Sequence, residues 1–128
     1  MSLSDSAVAV MLPTGDATRA QEFYEGRLGL PYDGTNETTG ESAYRLAGGS
    51  QLVLRLLPEV QPSPNTAMSF RVGDIAGEVA QLQARGVTFE DYDLPGLKTV
   101  DHIADDGAMR AAWFLDPDGN VLCLHQPL

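Results

Sequence analysis

The spacing of hydrophobic residues predicts that the chain opens with a strand followed by a helix. Ala7–Leu12 is a run of small and branched apolar residues, as expected for a buried strand. Asp16 is placed to cap a helix over Ala17–Arg27, and Gly29 is placed to end it. The apolar residues of this helix recur at helical spacing: Ala20, Phe23, Tyr24 and Leu28.

The second half of the chain repeats this plan. Ala67–Val72 is predicted to be a strand with alternating faces, and the break at Gly73-Asp74 resembles the earlier one at Gly15-Asp16. A second helix is predicted near Ile75–Arg85. Three strands are predicted after each helix, near Leu30–Asp33, Ser42–Leu46 and Gln51–Leu57 in the first half and near Thr88–Tyr92, Ala108–Leu115 and Asn120–His125 in the second.

Each half therefore follows the order strand, helix and three strands, written βαβββ. Module 1 is predicted at about 5–58 and module 2 at about 66–128, with a proline-rich linker at 59–65. A unit of this size cannot bury its sheet face alone, so the two modules must pair. The pattern predicts one α+β domain over residues 1–128.

Composition and charge narrow the range of partners. The chain carries 18 acidic against 8 basic side chains, a net charge of −10, so nucleic acid and anionic membranes are not expected as partners. The single cysteine, Cys123, cannot form an internal disulfide, which fits a reducing compartment. With no signal-peptide pattern at its start, the chain is predicted to be cytoplasmic.

Two motifs connect the chain to a known family. The first is Gly15-Asp16 followed by Phe23-Tyr24 and Leu28-Gly29-Leu30, and the second is the hairpin sequence Phe114–Asn120. In this order the two motifs resemble the vicinal oxygen chelate superfamily, which comprises glyoxalases, bleomycin resistance proteins and dioxygenases. The resemblance implies curved mixed sheets around a cleft, with helices on the outer face. It also implies a homodimer.

Similar enzymes hold one divalent cation with four His, Glu or Gln side chains, and the resemblance places these positions here on residues of other types. They fall on Ala9, Ala67, Cys123 and either Leu54 or Arg55. Strand alternation favours Arg55 for the cleft, because Leu54 continues an aliphatic face. Alanine has no donor atom and arginine is a cation, so no cofactor is expected. A zinc cluster of Cys123, His125 and His102 stays open as an alternative.

The cleft face is predicted from the residues that alternate with the aliphatic ones. The candidates for ligand binding are Met11, Arg55, Ser69, Arg71, Trp113, Cys123 and His125, with Tyr44, Tyr92 and His102 as further candidates. The two arginines have two readings: they hold a carboxylate or phosphate of a ligand, or they pair with acidic side chains. Residues 92–106 are read as a long loop, either a lid or a plain connection.

These features favour a binding protein over an enzyme. The predicted ligand is a small, partly apolar and possibly anionic molecule, in a resistance, sequestration or carrier role. The alternative is a lyase, isomerase or dioxygenase of the same superfamily, with or without a metal. Whether the chain catalyses a reaction is left open.

Overall fold

The structure, a computed structural model, describes residues 2–128. It divides into two compact units, of which the first ends at Gln61 and the second spans Pro62–Leu128. Each unit is built on one curved mixed sheet with few helical residues, and neither sheet closes into a barrel. This confirms the predicted α+β fold. Among the described residues, no helix is long and apolar enough to cross a membrane.

The first unit has a four-stranded sheet in the order β1-β4-β3-β2, with β1 parallel to β4. Its strands are β1 (Ala9–Thr14), β2 (Tyr32–Thr35), β3 (Ser42–Arg45) and β4 (Gln51–Leu56). Helix α1 covers Ala17–Gln21, and short 3₁₀ turns lie at Leu3–Asp5 and Ala47–Gly49. Asp16 caps α1 as predicted, because its Oδ1 accepts a hydrogen bond from the Arg19 backbone N–H at 3.0 Å.

Helix α1 widens after its first turns. Residues Glu22–Arg27 form a π-helical segment, in which the Leu28 N–H donates to the Phe23 carbonyl five residues back at 2.9 Å. The helix predicted over Ala17–Arg27 is therefore present, but its second half is not α-helical. Phe23 and Tyr24 are both buried, so the wider turn places two adjacent aromatic rings in the core.

Strand alternation holds in the core of this unit. Leu52 and Leu54 are buried, whereas Arg55 is exposed on the opposite face, as predicted from the pleat. Leu56 departs from the pattern and is 46% exposed, because it lies at the end of β4. The prediction that Tyr44 lines the cleft is wrong. Tyr44 is fully buried in the core, and its neighbours Ala43 and Arg45 lie on the less buried face of β3.

We expect the substitution Tyr44→Phe to raise the free energy of unfolding by about 1 kcal/mol at neutral pH. The Tyr44 hydroxyl is buried without a hydrogen-bond partner among the described residues. Burial, with smaller contributions from Tyr32 and Glu25, raises the pKa of Tyr44 from 10.0 to about 12. The folded state thus keeps a proton that the unfolded state loses, so stability falls as pH rises from 10.0 towards 12.

The measurement is urea unfolding of the parent and the Phe variant, at neutral pH and at a pH between 10.0 and about 12. The Phe variant should lose less stability in alkali than the parent, because it has no phenol to ionise. A variant that is less stable than the parent at neutral pH would contradict the prediction, since it would mean that the hydroxyl has a partner.

The second unit has a six-stranded sheet in the order β5-β10-β9-β8-β7-β6, with β5 parallel to β10. Its strands are β5 (Thr66–Arg71), β6 (Asp93–Leu94), β7 (Leu97–Val100), β8 (Ile103–Asp105), β9 (Met109–Leu115) and β10 (Val121–Pro127). Helix α2 spans Ile75–Ala84 and is capped by Asp74, whose Oδ1 accepts from the Gly77 N–H at 3.1 Å. The order β5-β10-β9-β8 repeats the order β1-β4-β3-β2 of the first unit.

Two predictions in this unit are wrong. Thr88–Tyr92 is not a strand and contributes a single bridge, from Phe89 to Phe114. Residues 92–106 are not a long loop, because they fold into two hairpins, β6–β7 and β7–β8. The second hairpin turns on Asp101 and His102, both at positive φ (51° and 70°), a conformation usually signalled by Asn-Gly.

Candidate functional site

One face of the second unit's sheet carries most of the predicted ligand-binding residues. Along β9 and β10, Ala112, Phe114, Leu122 and Leu124 are buried on the core side, so the alternating residues lie on the other side. We call that other side the open face. Ser69, Cys123 and Trp113 stand in register across three adjacent strands of it, and Arg71, His125 and Ala111 form the next row.

Ser69, Cys123 and His125 form a polar group on the open face. The Ser69 Oγ and His125 Nδ1 lie 2.6 Å apart, a short hydrogen bond between β5 and β10. The Cys123 thiol donates to the Leu124 carbonyl at 3.2 Å. Burial raises the pKa of Cys123, although hydrogen bonds from Ser69 and the Ala112 backbone act in the opposite direction. The thiol is therefore mainly protonated at neutral pH and is a weak nucleophile.

Trp113 is held by two neighbours on the open face. Its ring packs edge-to-face against Tyr92, with centroids 5.5 Å apart at 88°. Its indole N–H donates to the Thr66 hydroxyl at 3.2 Å. Burial, then the charges of Glu90 and Cys123, raise the pKa of Tyr92, which keeps its phenol neutral. The tryptophan is thus fixed in orientation before any ligand arrives.

Thr66 is a residue of the candidate site that the sequence did not reveal: its hydroxyl accepts the hydrogen bond of the Trp113 indole. The ladder pairs Val121 with Thr66 and Leu122 with Met68, so Ala67 is an extra residue on β5. This bulge puts Thr66 on the same face as Ser69, although simple alternation gives that place to Ala67. Nothing in the sequence around Thr66 marks the bulge.

A pocket of about 250 Å³ lies beside Trp113 on the open face. We call the half-buried alanines Ala104 and Ala111 its floor, and the exposed charged side chains of Lys98, Asp105 and Asp106 its rim. The lining residues are Gly96, Leu97, Lys98, Ala104, Asp105, Asp106, Met109, Ala111 and Trp113. Apolar lining with a few polar groups is the usual make-up of a small-molecule site.

The acidic part of the rim is ionised at neutral pH. A hydrogen bond from the Gly107 backbone, followed by one from Arg110, lowers the pKa of Asp105. Backbone hydrogen bonds from Ala108 and Met109 lower the pKa of Asp106. Asp105 is paired with Arg110, whose Nε lies 3.1 Å from its carboxylate, and no ion pair offsets Asp106 within residues 2–128.

The two predicted arginines differ in their surroundings. In the first unit, Arg55 pairs with Glu41, its Nε lying 3.6 Å from the carboxylate. Arg71, at the end of β5, has no ion pair or side-chain hydrogen bond within the part of the chain that the structure describes. It lines an open groove of about 400 Å³ together with Val72, Gly73, Gln126 and Pro127. The reading as an ion pair therefore fits Arg55, and Arg71 remains available to a ligand.

Met11 and His102 lie outside strands β5, β9 and β10, which carry this group of side chains. Met11 is 48% exposed on the sheet of the first unit, opposite Val53. His102 lies at the β7–β8 turn, where its Nδ1 is 2.9 Å from the Asp91 carboxylate and its ring packs 6.2 Å from the Phe89 ring. Since Phe89 is buried in the core, His102 is drawn away from the open face.

The positions that hold a metal in similar enzymes offer few donor atoms here. Ala9 and Ala67 are exposed methyl groups, Arg55 is paired with Glu41, and Cys123 bonds to a backbone carbonyl. In residues 2–128, no group of three or more His, Cys, Asp or Glu side chains is placed to hold a metal ion. These residues do not fit a divalent cation, and the Cys123, His125 and His102 cluster does not assemble.

With the fold and this face described, the family can be stated. The model of the glyoxalase/bleomycin resistance protein/dioxygenase superfamily matches residues 6–124. The chain belongs to this superfamily, as the two sequence motifs predicted. No curated protein matches the chain.

Solved structures of the superfamily are similar over nearly the whole chain. TnmS3, an antibiotic binding protein from Streptomyces sp. CB03234, is 27% identical with a TM-score of 0.73, covering 96% of each chain. A glyoxalase/bleomycin resistance protein from the same organism is also 27% identical, with a TM-score of 0.69, covering 94% of this chain and 100% of the other. A superfamily member from Sphaerobacter thermophilus DSM 20745 is 24% identical, with a TM-score of 0.71 and coverage of 94% and 96%, which supports the fold alone.

Proposed function

We propose that this chain binds a small, partly apolar molecule on the open face of its second unit and does not transform it. The observation that carries the proposal is the orientation of Trp113, fixed by Tyr92 and Thr66 at the wall of an apolar pocket. A rigid aromatic wall supplies contact area at low entropic cost. The similarity to an antibiotic binding protein supports a resistance, sequestration or carrier role.

The proposal includes the loss of the superfamily's metal site. It rests on the donor atoms available at the expected positions, where two alanines supply none and Arg55 carries a positive charge. A bound metal ion can polarise a substrate oxygen, so a chain without these ligands is better suited to binding than to turnover. No cofactor enters the proposal.

The remaining features of the proposal concern assembly. We propose one domain over residues 1–128, formed by modules at about 5–58 and 66–128, which pairs as a homodimer in the cytoplasm. Exposed apolar side chains outside the open face, such as Val8, Leu56 and Leu128, are compatible with a partner. Light scattering at micromolar concentration that gives the mass of one chain would contradict the dimer.

The test of binding uses a flat neutral probe, naphthylethanol, titrated into the protein and followed by calorimetry. We expect saturable binding with one site per chain. The substitution Ala104→Leu should weaken it at least tenfold, because the larger side chain fills the pocket floor. Ala80→Leu is the matched control, since Ala80 is exposed on α2 and the same side chain there should leave binding unchanged.

Absence of saturable binding at millimolar probe would overturn the proposal, as would equal effects of the two leucine substitutions. Both variants should first be shown to unfold at urea concentrations close to that of the parent. This check separates a filled pocket from a damaged fold.

A second candidate function is metal-free acid–base catalysis of the lyase or isomerase type. The observation that favours it is the 2.6 Å bond between Ser69 Oγ and His125 Nδ1, a spacing seen between a nucleophile or proton donor and a general base. Mass spectrometry of bound molecules before and after long incubation tests it. Conversion that is abolished by His125→Gln would replace the binding proposal with this one.

A further inference from the structure

One row of residues runs straight across the open face from a cation to the pocket floor. Arg71 on β5 is in register with His125 on β10, His125 with Ala111 on β9, and Ala111 with Ala104 on β8. Neighbouring strands lie about 4.8 Å apart, so Arg71 stands about 10 Å from Ala111 in the direction of the hydrogen bonds. This is a distance that one small molecule can bridge.

Arg71 has the properties of an anion-binding group. It is exposed, and no carboxylate pairs with it among residues 2–128, although acidic side chains outnumber basic ones 18 to 8 in the sequence. Arg55 and Arg110, by contrast, both have acidic partners. A guanidinium fork matches the two oxygens of a carboxylate, which favours that ligand over a neutral one.

Ser69 orients His125 as a second hydrogen-bond donor beside Arg71. The Ser69 hydroxyl hydrogen-bonds Nδ1 of the ring, either as a donor to the bare Nδ1 of the neutral imidazole or as an acceptor from an Nδ1–H. When Ser69 donates, and also when the ring is an imidazolium, the other nitrogen, Nε2, carries an N–H that a carboxylate can accept. Ser69 thereby orients a second donor on the row that contains Arg71, and it acts as a positioning residue.

The charges along this row favour one direction for the ligand. At the far end of the pocket the ionised Asp106 has no ion pair among the described residues, but Lys98 lines the same pocket, so opposite charges offset each other there. Arg71 and His125 lie on the opposite side of Ala111 from Ala104 and β8. An anionic group therefore points towards Arg71, and an apolar ring lies over the alanines against Trp113.

We infer that the ligand is a planar aromatic carboxylate, with its carboxylate held by Arg71 and by His125 as oriented by Ser69. This inference rests on the proposed function, because it names the chemical class of molecule that the same site takes. It adds a head-group subsite to the ring-binding pocket beside Trp113.

Three naphthalene probes with the same ring and side-chain length test the class: naphthylacetate, the neutral naphthylethanol and the cationic naphthylethylamine. Calorimetry at low salt should show the carboxylate binding about tenfold more tightly than the alcohol, and the amine binding most weakly. Added salt should reduce the difference between the probes. Equal affinity, or tighter binding of the alcohol or the amine, would overturn the inference and leave the proposed function in place.

Variants assign the effect to individual residues. Arg71→Gln should lower carboxylate affinity about tenfold, to the level of the alcohol, and leave alcohol affinity unchanged. Arg85→Gln, at the end of α2, is the matched control and should change neither. Ser69→Ala should weaken carboxylate binding about threefold to tenfold without affecting the alcohol, whereas a merely structural role would weaken both. If no naphthalene probe binds to the parent protein, the proposed function itself fails.

Discussion

Replacing Asp116 with alanine is expected to lower the free energy of unfolding by about 3 kcal/mol. The Asp116 side chain is buried in the β9–β10 turn, and its Oδ1 accepts from the backbone N–H groups of Asp118 at 2.9 Å and Asn120 at 2.8 Å. Its Oδ2 accepts from the Asn120 amide at 2.7 Å. Alanine leaves these donors without their acceptors, and Asn120 is itself buried.

Urea unfolding monitored by circular dichroism measures this loss. Asp116→Asn should cost less, about 1 kcal/mol, because the amide oxygen can still accept from both backbone N–H groups. Asp93→Ala, on the exposed strand β6, should change stability by less than about 0.5 kcal/mol. The expectation fails if Asp116→Ala and Asp93→Ala cost the same, which would make the turn motif dispensable for stability.

Replacing Trp113 with alanine should weaken naphthylethanol binding about thirtyfold. A ring contact of this kind contributes about 2 kcal/mol, and 1.4 kcal/mol corresponds to a factor of ten in affinity. The loss includes the edge-to-face contact that keeps Tyr92 in place, so the pocket wall also becomes less ordered. Calorimetry is the measurement, because the variant lacks the only tryptophan of the chain and its binding cannot be followed by tryptophan fluorescence.

Two further variants on the same strand test whether the aromatic ring at position 113 is what contributes to binding. Trp113→Phe keeps an aromatic face but loses the hydrogen bond to Thr66, and it should retain most of the affinity. Leu115→Ala removes a 41% exposed side chain from the same face but outside the pocket, and it should bind as the parent does. Trp113→Ala with unchanged affinity would mean that the ligand lies elsewhere.

The sequence predicted best those features that depend only on residues close together in the chain. Asp16 accepts the hydrogen bond expected of a helix cap, and Asp74, at the similar break, caps α2 in the same way, because a cap depends only on the next three residues. Strand alternation also separated Arg55 from the buried Leu54. The β7–β8 hairpin was missed because Asp101-His102 adopts positive φ without the usual glycine or asparagine. The β6–β7 hairpin turns on Pro95-Gly96, an ordinary turn sequence that was interpreted as part of a long loop.

The candidate site could be predicted only in part. Ser69, Cys123 and His125 alternate regularly on their strands, so their shared face follows from the pleat. His102 was placed with them by its position in a presumed loop, but the hairpin holds it against Asp91 and Phe89. Thr66 reaches Trp113 through a bulge, and a bulge arises from the pairing of distant strands and leaves no local mark.

The bulge at Ala67 also has a genetic consequence. Loss of codon 67 would leave Thr66 directly before Met68 and so still opposite Val121, which restores a regular ladder and keeps Thr66 beside the indole. Loss of codon 70 would instead move Arg71 into the place of Phe70, which faces away from Ser69. Under selection for binding, we therefore expect the in-frame deletion of codon 67 to be tolerated and the in-frame deletion of codon 70 to be eliminated.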